Sequence, residues 1–230
     1  MIDRASENIA VLTPSGQTLD PPGCLVGIIR AGGGTVLVDS GLERTAAAVL
    51  AAVRELGWPV PPQTVLLTHP HGDHIGGAIR LHRDCAAAIY AHPEVAAKFA
   101  AAPEAEGDVW ALARCVVRPL CDGQRLTFGE AVVTAFHTPG HTADGVSFLV
   151  AADGLRCIFS GDLVMTDLNP GWRGDPRFSI EDTLRSLARL AALKADRIFT
   201  GHDVVPGAPA EFLARALARG RSGAWAAQQA

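Results

Sequence analysis

Three histidines and one aspartate lie within six positions of this chain, and that cluster constrains the fold more than any other feature. Residues 68–77 read Thr-His-Pro-His-Gly-Asp-His-Ile-Gly-Gly and directly follow a run of apolar β-formers. Neutral imidazoles and carboxylates are the ligands that Zn²⁺ and similar borderline cations prefer. The cluster therefore predicts a metal site where a strand ends. Four ligand-type side chains in so short a stretch do not easily reach one ion, so their spacing indicates two adjacent metal ions.

Size and composition are those of a globular protein. The chain has 230 residues, of which 48% are hydrophobic and 19% charged, enough for one sizeable core. A net charge of −4 argues against nucleic acid as the main partner. The five cysteines are an odd number without a C-x-x-C pair, which predicts buried thiols in a reducing compartment. With no leader pattern and no apolar run of membrane-spanning length, we expect a cytoplasmic protein without a membrane partner.

The apolar patterning predicts alternating strands and helices in a single domain over residues 1–230, because no linker-like break divides the chain. The predicted strands are 24–30, 35–39, 64–68, 87–91, 116–120, 131–137, 146–150, 156–160 and 197–200. The predicted helices are 43–56, 75–82, 93–101, 179–193 and 209–219. Residues 103–114 are polar and receive no assignment.

Three more ligand-type residues follow strand-like runs. His141 lies in His-Thr-Pro-Gly-His-Thr (137–142), Asp162 in Ser-Gly-Asp (160–162) and His202 in Thr-Gly-His-Asp (200–203). Pro-Gly forces a turn that can aim a side chain off a strand end, and a glycine before a ligand allows close backbone approach. Because short loops on a rigid sheet edge bring side chains together, we expect all three residues near the first cluster.

The pattern His69-x-His71-x-Asp73-His74, followed in order by His141, Asp162 and His202, resembles the metallo-β-lactamase superfamily. The resemblance covers about residues 23–205, which form the expected core, with a C-terminal helix and tail over 206–230. It implies an α/β fold, specifically a four-layer αβ/βα sandwich with the metal ions at one edge of the two sheets.

The resemblance also implies a ligand set. The implied ligands are His69, His71 and His141 for the first ion, Asp73, His74 and His202 for the second, and Asp162 as the bridge between them. Two zinc ions are expected, with iron or manganese as possible metals. Asp39 matches a family aspartate that orients the ligand loop through hydrogen bonds.

The expected chemistry is hydrolysis by metal-bound hydroxide, because no serine or cysteine nucleophile stands beside a base and two close cations make water acidic. Asp73 is the residue expected to orient the hydroxide and manage its proton. The bond is expected to be acyl-type in a small molecule: a thioester, lactone or β-lactam. Glyoxalase II-type thioesterases are the most similar branch, through 137–142 and the Gly-Val-Ser-Phe at 145–148. Only 28 residues follow His202, too few for their helical glutathione-binding domain, so specificity for glutathione is not expected.

Two other functions remain open at this point. Persulfide dioxygenases share the motif but hold a single iron through the counterparts of His69, His141 and Asp162, which would make the protein an oxidoreductase. A metal-binding regulatory module without turnover is the third interpretation. In the long connection 163–178, Trp172 and Arg173 are candidate substrate contacts, against the alternative of a folded structural loop. The oligomeric state is not predicted.

Overall fold

The computed structural model describes residues 1–14, 23–101 and 116–226. Within these residues the strands form two sheets that pack face to face. The unassigned stretch 103–114 and Cys115 lie outside the described residues. No helix of the described part is long and apolar enough to cross a membrane.

The first sheet has seven described strands, antiparallel at one side and parallel at the other. In spatial order they are β1 (Ile2–Arg4), β2 (Ile9–Leu12), β3 (Val26–Ala31), β4 (Gly34–Val38), β5 (Thr64–Leu66), β6 (Ala88–Ala91) and β7 (Val117–Pro119). Pairing is antiparallel from β1 to β4 and parallel from β4 to β7. Gly32 and Gly33, both at positive φ, form the turn of the hairpin between β3 and β4.

The second sheet has five described strands and is antiparallel except at one edge. In spatial order they are β12 (Arg197–Phe199), β11 (Leu155–Phe159), β10 (Val146–Ala152), β9 (Ala131–His137) and β8 (Arg125–Phe128). Only β11 and β12 run parallel among these strands. As a result, β11 and β12 both end at the same edge of their sheet, as β4 and β5 do in the first.

Six described helices cover the outer faces of the sheets. They are α1 (Ala47–Glu55), α2 (Gly72–Ile75), α3 (Ala78–Cys85), α4 (Pro93–Ala101), α5 (Ile180–Ala191) and α6 (Pro209–Arg221). Ser179 begins α5 as its N-cap, since its hydroxyl accepts a hydrogen bond from the Asp182 N–H. A proline opens both α4 and α6, where its missing N–H costs nothing.

Three apolar clusters establish four layers. One lies between the first sheet and helices α1 and α3, one between the two sheets, and one between the second sheet and helices α5 and α6. In β10 the alternation is explicit, because Phe148 and Val150 face the other sheet while Leu149 faces α5 and α6. The predicted four-layer αβ/βα sandwich is confirmed.

Some local predictions are wrong. The helix expected from residue 43 begins only at Ala47, because Ala46 is left-handed and the Glu43 carboxylate caps the Ala48 N–H instead. The expected helix 75–82 divides into α2 and α3 around Gly76 and Gly77. Strands β1, β2 and β8 are not among the predicted strands. β1 (Ile-Asp-Arg) and β8 (Arg-Leu-Thr-Phe) carry few apolar residues, whereas β2 (Ile-Ala-Val-Leu) is apolar throughout but only four residues long.

The thiols are also less uniform than predicted. Cys24 and Cys157 are buried as expected, but Cys121 is exposed and Cys85 half-buried. No disulfide joins the described cysteines.

Candidate metal centre

The candidate ligands stand where strands of both sheets end. β5 leads into His69, β9 into the turn that carries His141, β11 into Asp162 and β12 into His202. Backbone hydrogen bonds hold these loops together. The Val146 N–H donates to the Thr68 carbonyl at 2.8 Å, and the Gly201 N–H donates to the Gly161 carbonyl at 2.8 Å. The sheets and these backbone hydrogen bonds therefore fix the loop positions independently of the ligand side chains.

His69, His71 and His141 form the first donor group. The Nε2 atoms of His69 and His141 each lie 3.0 Å from Nδ1 of His71. The three rings meet edge to face, with centroids 4.7 to 4.8 Å apart. Three imidazole nitrogens so close together offer one face of a tetrahedral cation site.

Asp73, His74 and His202 form the second donor group. Oδ2 of Asp73 lies 3.6 Å from Nε2 of His74 and 3.5 Å from Nε2 of His202. His74 is completely buried, whereas the other two side chains are about one-sixth exposed. The group therefore opens on the side of Asp73 and His202.

Asp162 lies between the two groups. Its Oδ1 is 3.3 Å from Nε2 of His74, and its Oδ2 is 3.3 Å from Nε2 of His202 and 3.8 Å from Nε2 of His141. One carboxylate thus faces donors of both groups, which is the position that a bridging ligand needs.

The residues fit cation binding. Nε2 of His74 and Oδ1 of Asp162 are buried and make no hydrogen bond to any described residue, although they face each other. Buried polar atoms normally have partners, and a bound cation would supply one to both atoms. Gly201 keeps the space open, because a Cβ at that position would stand 1.8 Å from Oδ1 of Asp162.

Asp39 and Thr68 orient one histidine of each group. Oδ2 of Asp39 lies 2.8 Å from Nδ1 of His74 and accepts a hydrogen bond from the Thr68 hydroxyl at 2.8 Å. The same hydroxyl lies 3.0 Å from Nδ1 of His69, and the Thr68 N–H donates to Oδ1 of Asp39. These contacts favour the ring proton on Nδ1 of each histidine, so that Nε2 would be the atom that binds a cation.

Asp39 thus contacts both Thr68 and His74, and its role in orienting the ligand loop stays a prediction. Thr68 was missed, although a threonine directly before the first histidine of the cluster, at the end of a strand, was the available signal.

Burial and neighbouring charges set the protonation states. Burial, together with the charge on His74, holds the pKa of His69 well below its usual value, and burial lowers that of His141 to about 4. Burial alone would lower the pKa of His74 too, but the neighbouring Cys24, Asp162 and Asp39 outweigh it and hold that pKa well above its usual value. The first donor group is consequently neutral, which is the form that binds a cation.

Cys24 lies close to Asp39 and His74, and these three could form a further donor group. Burial raises the pKa of the Cys24 thiol to about 11, and Nδ1 of His74 already faces Asp39. We therefore do not assign a metal to this group.

A cleft of about 1150 Å³ opens over the ligands and is bordered by the loop 163–178. Its walls are mostly uncharged, with Met165, Pro170, Trp172 and Val204 among the lining residues. The Trp172 side chain is 67% exposed, and its ring centroid lies 5.6 Å from that of His71. The position is compatible with the substrate contact expected of Trp172.

Arg173 points elsewhere. Its guanidinium donates to the Trp225 carbonyl, stands over the Phe178 ring and does not line the cleft. Arg177 was not predicted from the sequence. It connects the same loop to the His141 turn, because its guanidinium forms an ion pair with the buried Asp144 at 3.0 Å. No spacing in the sequence indicated this pair, because the two residues are far apart in the chain.

Comparison with known proteins agrees with this geometry. The family model described as the Metallo-beta-lactamase superfamily matches residues 19–202. A hydroxyacylglutathione hydrolase of Methylobacterium nodulans is 34% identical over 166 residues, which cover 70% of this chain and 55% of that protein. A beta-lactamase-like protein 2 homolog of Drosophila melanogaster is 30% identical over 206 residues, covering 82% of this chain and 61% of that protein.

The chain thus spans little more than half the length of these curated relatives.

Among solved structures, a B3 metallo-beta-lactamase with an active site glutamic acid superimposes with a TM-score of 0.74 at 26% identity. That match covers 100% of this chain and 91% of the other.

Proposed function

The chain belongs to the metallo-β-lactamase superfamily, and from that premise we propose that it is a binuclear metal-dependent hydrolase of an acyl-type bond in a small molecule. The single observation that carries the proposal is the position of Asp162, whose two oxygens face Nε2 of His74 and Nε2 of His202 at 3.3 Å. A site for one ion would not need a carboxylate shared between two complete groups of donors.

The proposed ligands are those expected from the sequence: His69, His71 and His141 for one ion, Asp73, His74 and His202 for the other, and Asp162 for both. Zinc is the proposed metal because the five imidazoles and two carboxylates of this ligand set suit it. When bound, two such ions supply an acidified water as the nucleophile and polarise the substrate carbonyl. The protein side chains would then hold the metal ligands in place, exclude water from the buried side of the site and transfer one proton.

Asp73 is the residue we propose for that proton. Its carboxylate is partly exposed and lines the cleft, so Oδ2 can accept a hydrogen bond from a water above the ligands and orient it toward the substrate. Asp162 is too buried for the same task and faces Nε2 of His74, His141 and His202 instead. Oδ2 of Asp73 can then pass the proton to the leaving group.

A thioester is the first substrate class to test. The cleft walls formed by Met165, Pro170, Trp172 and Val204 suit an apolar acyl group. A relative named a hydroxyacylglutathione hydrolase supports thioester chemistry, and structural similarity to β-lactamases keeps lactams and lactones in the panel.

The deciding experiment is elemental analysis of protein purified without added metal, together with hydrolysis assays on thioester, lactone and β-lactam panels. We expect about two zinc ions per chain, and loss of metal and hydrolysis in His71→Ala. His82→Ala is the matched control, since His82 hydrogen-bonds the Ala87 carbonyl and is not among the described residues that line the cleft. One iron per chain, with oxygen uptake on a persulfide, would instead establish the oxidoreductase; full metal content without hydrolysis of any panel would favour a binding module.

A further inference from the structure

A second pocket, of about 290 Å³, adjoins the cleft over the ligands. Gly72 lines both spaces, and Ile75 and Gly76, which directly follow the ligand His74, line the pocket. A molecule bound over the metal centre can therefore extend across Gly72 into this pocket without leaving the surface.

Arginines dominate the charge of the pocket. Arg80 and Arg83 lie three residues apart on α3 and so on one face of that helix, and Arg44 faces them from the loop after β4. Asp84 is the one acid among the described lining residues, and it pairs with Arg80 one helical turn away. Arg83 is exposed and makes no ion pair with any described residue. The pocket is therefore positive in a chain whose net charge is −4.

The form of these cations favours phosphate. A guanidinium presents a planar fork of donors that matches two oxygens of a phosphate, and several such forks suit a doubly charged phosphate monoester. The apolar side chains of Leu42, Ile75 and Ile79 line the rest of the pocket, so an aliphatic linker beside the phosphate would also be accommodated.

We propose that this arginine pocket binds a phosphate monoester on the leaving group of the substrate, so that the enzyme acts on thioesters of a phosphorylated thiol. The inference rests on the proposed hydrolase function and assigns each part of the substrate to a different part of the surface. The apolar acyl group lies in the cleft beside Trp172, the thioester lies over the ligands, and the phosphorylated thiol extends across Gly72 to Arg83.

Direct binding tests the pocket without any turnover. Calorimetry compares 4′-phosphopantetheine with pantetheine, which differ only by the phosphate. We expect the phosphorylated form to bind the wild-type protein about tenfold more tightly, the effect of a charge-assisted hydrogen bond at a half-open site, and Arg83→Ala to remove that preference. Arg215→Ala is the matched control, because Arg215 is exposed on α6 in the opposite outer layer.

Arg83 is exposed, so its substitution leaves the core intact and the variant folds. Arg83→Lys should retain part of the preference, since the charge remains and the fork is lost. Equal affinities of the wild-type protein for the two compounds, or an equal loss in Arg215→Ala, would overturn the proposal.

Kinetics separates this inference from the proposed function. Thioesters with one acyl group are made on phosphopantetheine and on uncharged N-acetylcysteamine. In Arg83→Ala we expect KM for the phosphorylated substrate to rise about tenfold with kcat unchanged, and neither constant to move for the uncharged one. Hydrolysis of both substrates that is insensitive to Arg83 would refute the pocket and leave the hydrolase standing. A phosphate-dependent affinity without hydrolysis of any thioester would refute the proposed hydrolase function and leave the phosphate-binding pocket standing.

Discussion

Replacing Asp39 by asparagine removes one charge from behind the metal centre while keeping the shape of the side chain. Asp39 has φ 60°, a left-handed conformation that asparagine also adopts readily. Its carboxylate is 2% exposed and meets three groups at 2.8 Å: the Thr68 N–H, the Thr68 hydroxyl and Nδ1 of His74. An amide has only one oxygen to offer, so either the contact at Oδ1 or the two contacts at Oδ2 lose their acceptor.

The geometry decides which contact fails. The Thr68 N–H is a fixed donor and holds the amide oxygen at the Oδ1 position, which turns the NH₂ toward His74. Nδ1 of His74 can then accept a hydrogen bond only if the ring proton moves to Nε2, the atom that faces Asp162 at 3.3 Å. A protonated Nε2 does not bind a metal. We expect metal affinity to fall about 10- to 100-fold, or about 1.4 to 2.7 kcal/mol.

Asp153→Asn is the matched control. Asp153 is also an aspartate at positive φ, and its carboxylate also accepts three hydrogen bonds, from the Ser6 hydroxyl and from the backbone and side chain of Asn8. These contacts are exposed and far from the ligands. Competition with a chromophoric chelator should give the control the affinity of the wild-type protein. An affinity of Asp39→Asn within twofold of wild type, or an equal fall in Asp153→Asn, would refute the reasoning.

Three further predictions follow from the same structure. Gly201→Ala should lose most of its bound metal in elemental analysis, because the new Cβ would stand 1.8 Å from Oδ1 of Asp162; Gly72→Ala, beside the ligands but with open space around its Cβ, should keep its metal. Chelation should lower the Tm of the wild-type protein in calorimetry, since metal bound only to the native state adds to its stability, and an unchanged Tm would contradict that. Burial would raise the pKa of Asp122, but the Arg189 guanidinium and the His137 N–H hold it below the ordinary value of 3.8. The stability from this carboxylate is therefore present above pH 3.8 and lost as the pH falls through the lower folded pKa; urea titrations of Asp122→Asn should show a weaker loss of stability on acidification than the wild-type protein does.

Local patterns predicted most of the secondary structure. The helix predicted at 179–193 is confirmed as α5, and Ile180, Leu184, Leu187 and Leu190, which recur at helical spacing, pack against the second sheet. The boundary at residue 43 failed because the conformation of Ala46 depends on how the chain enters α1, and no propensity of Glu43 or Thr45 reports it.

The division of the helix expected at 75–82 has a tertiary cause. A Cβ at Gly76 would stand 2.3 Å from the Leu42 carbonyl oxygen, and one at Gly77 would stand 2.6 Å from that of Ser40. The loop after β4 presses on the chain there and separates α2 from α3. Two adjacent glycines were visible in the sequence, but the backbone that requires them comes from a distant strand.

In the candidate site, too, some features follow from the local sequence and others only from the tertiary structure. Ligand chemistry and strand-end contexts are local properties, so the sequence alone determined the ligand types, their order and the family they resemble. Which atoms face one another depends on two sheets packed face to face, and only the tertiary structure placed Asp162 between His74 and His202.

Tertiary structure also decided the outer contacts. It turned Arg173 away from the cleft to Trp225, made Thr68 the link between Asp39 and His69, and set Arg83 in a pocket beside the ligands. Long-range contacts of single polar side chains leave no periodicity in a sequence, because each depends on where the whole backbone has already been placed.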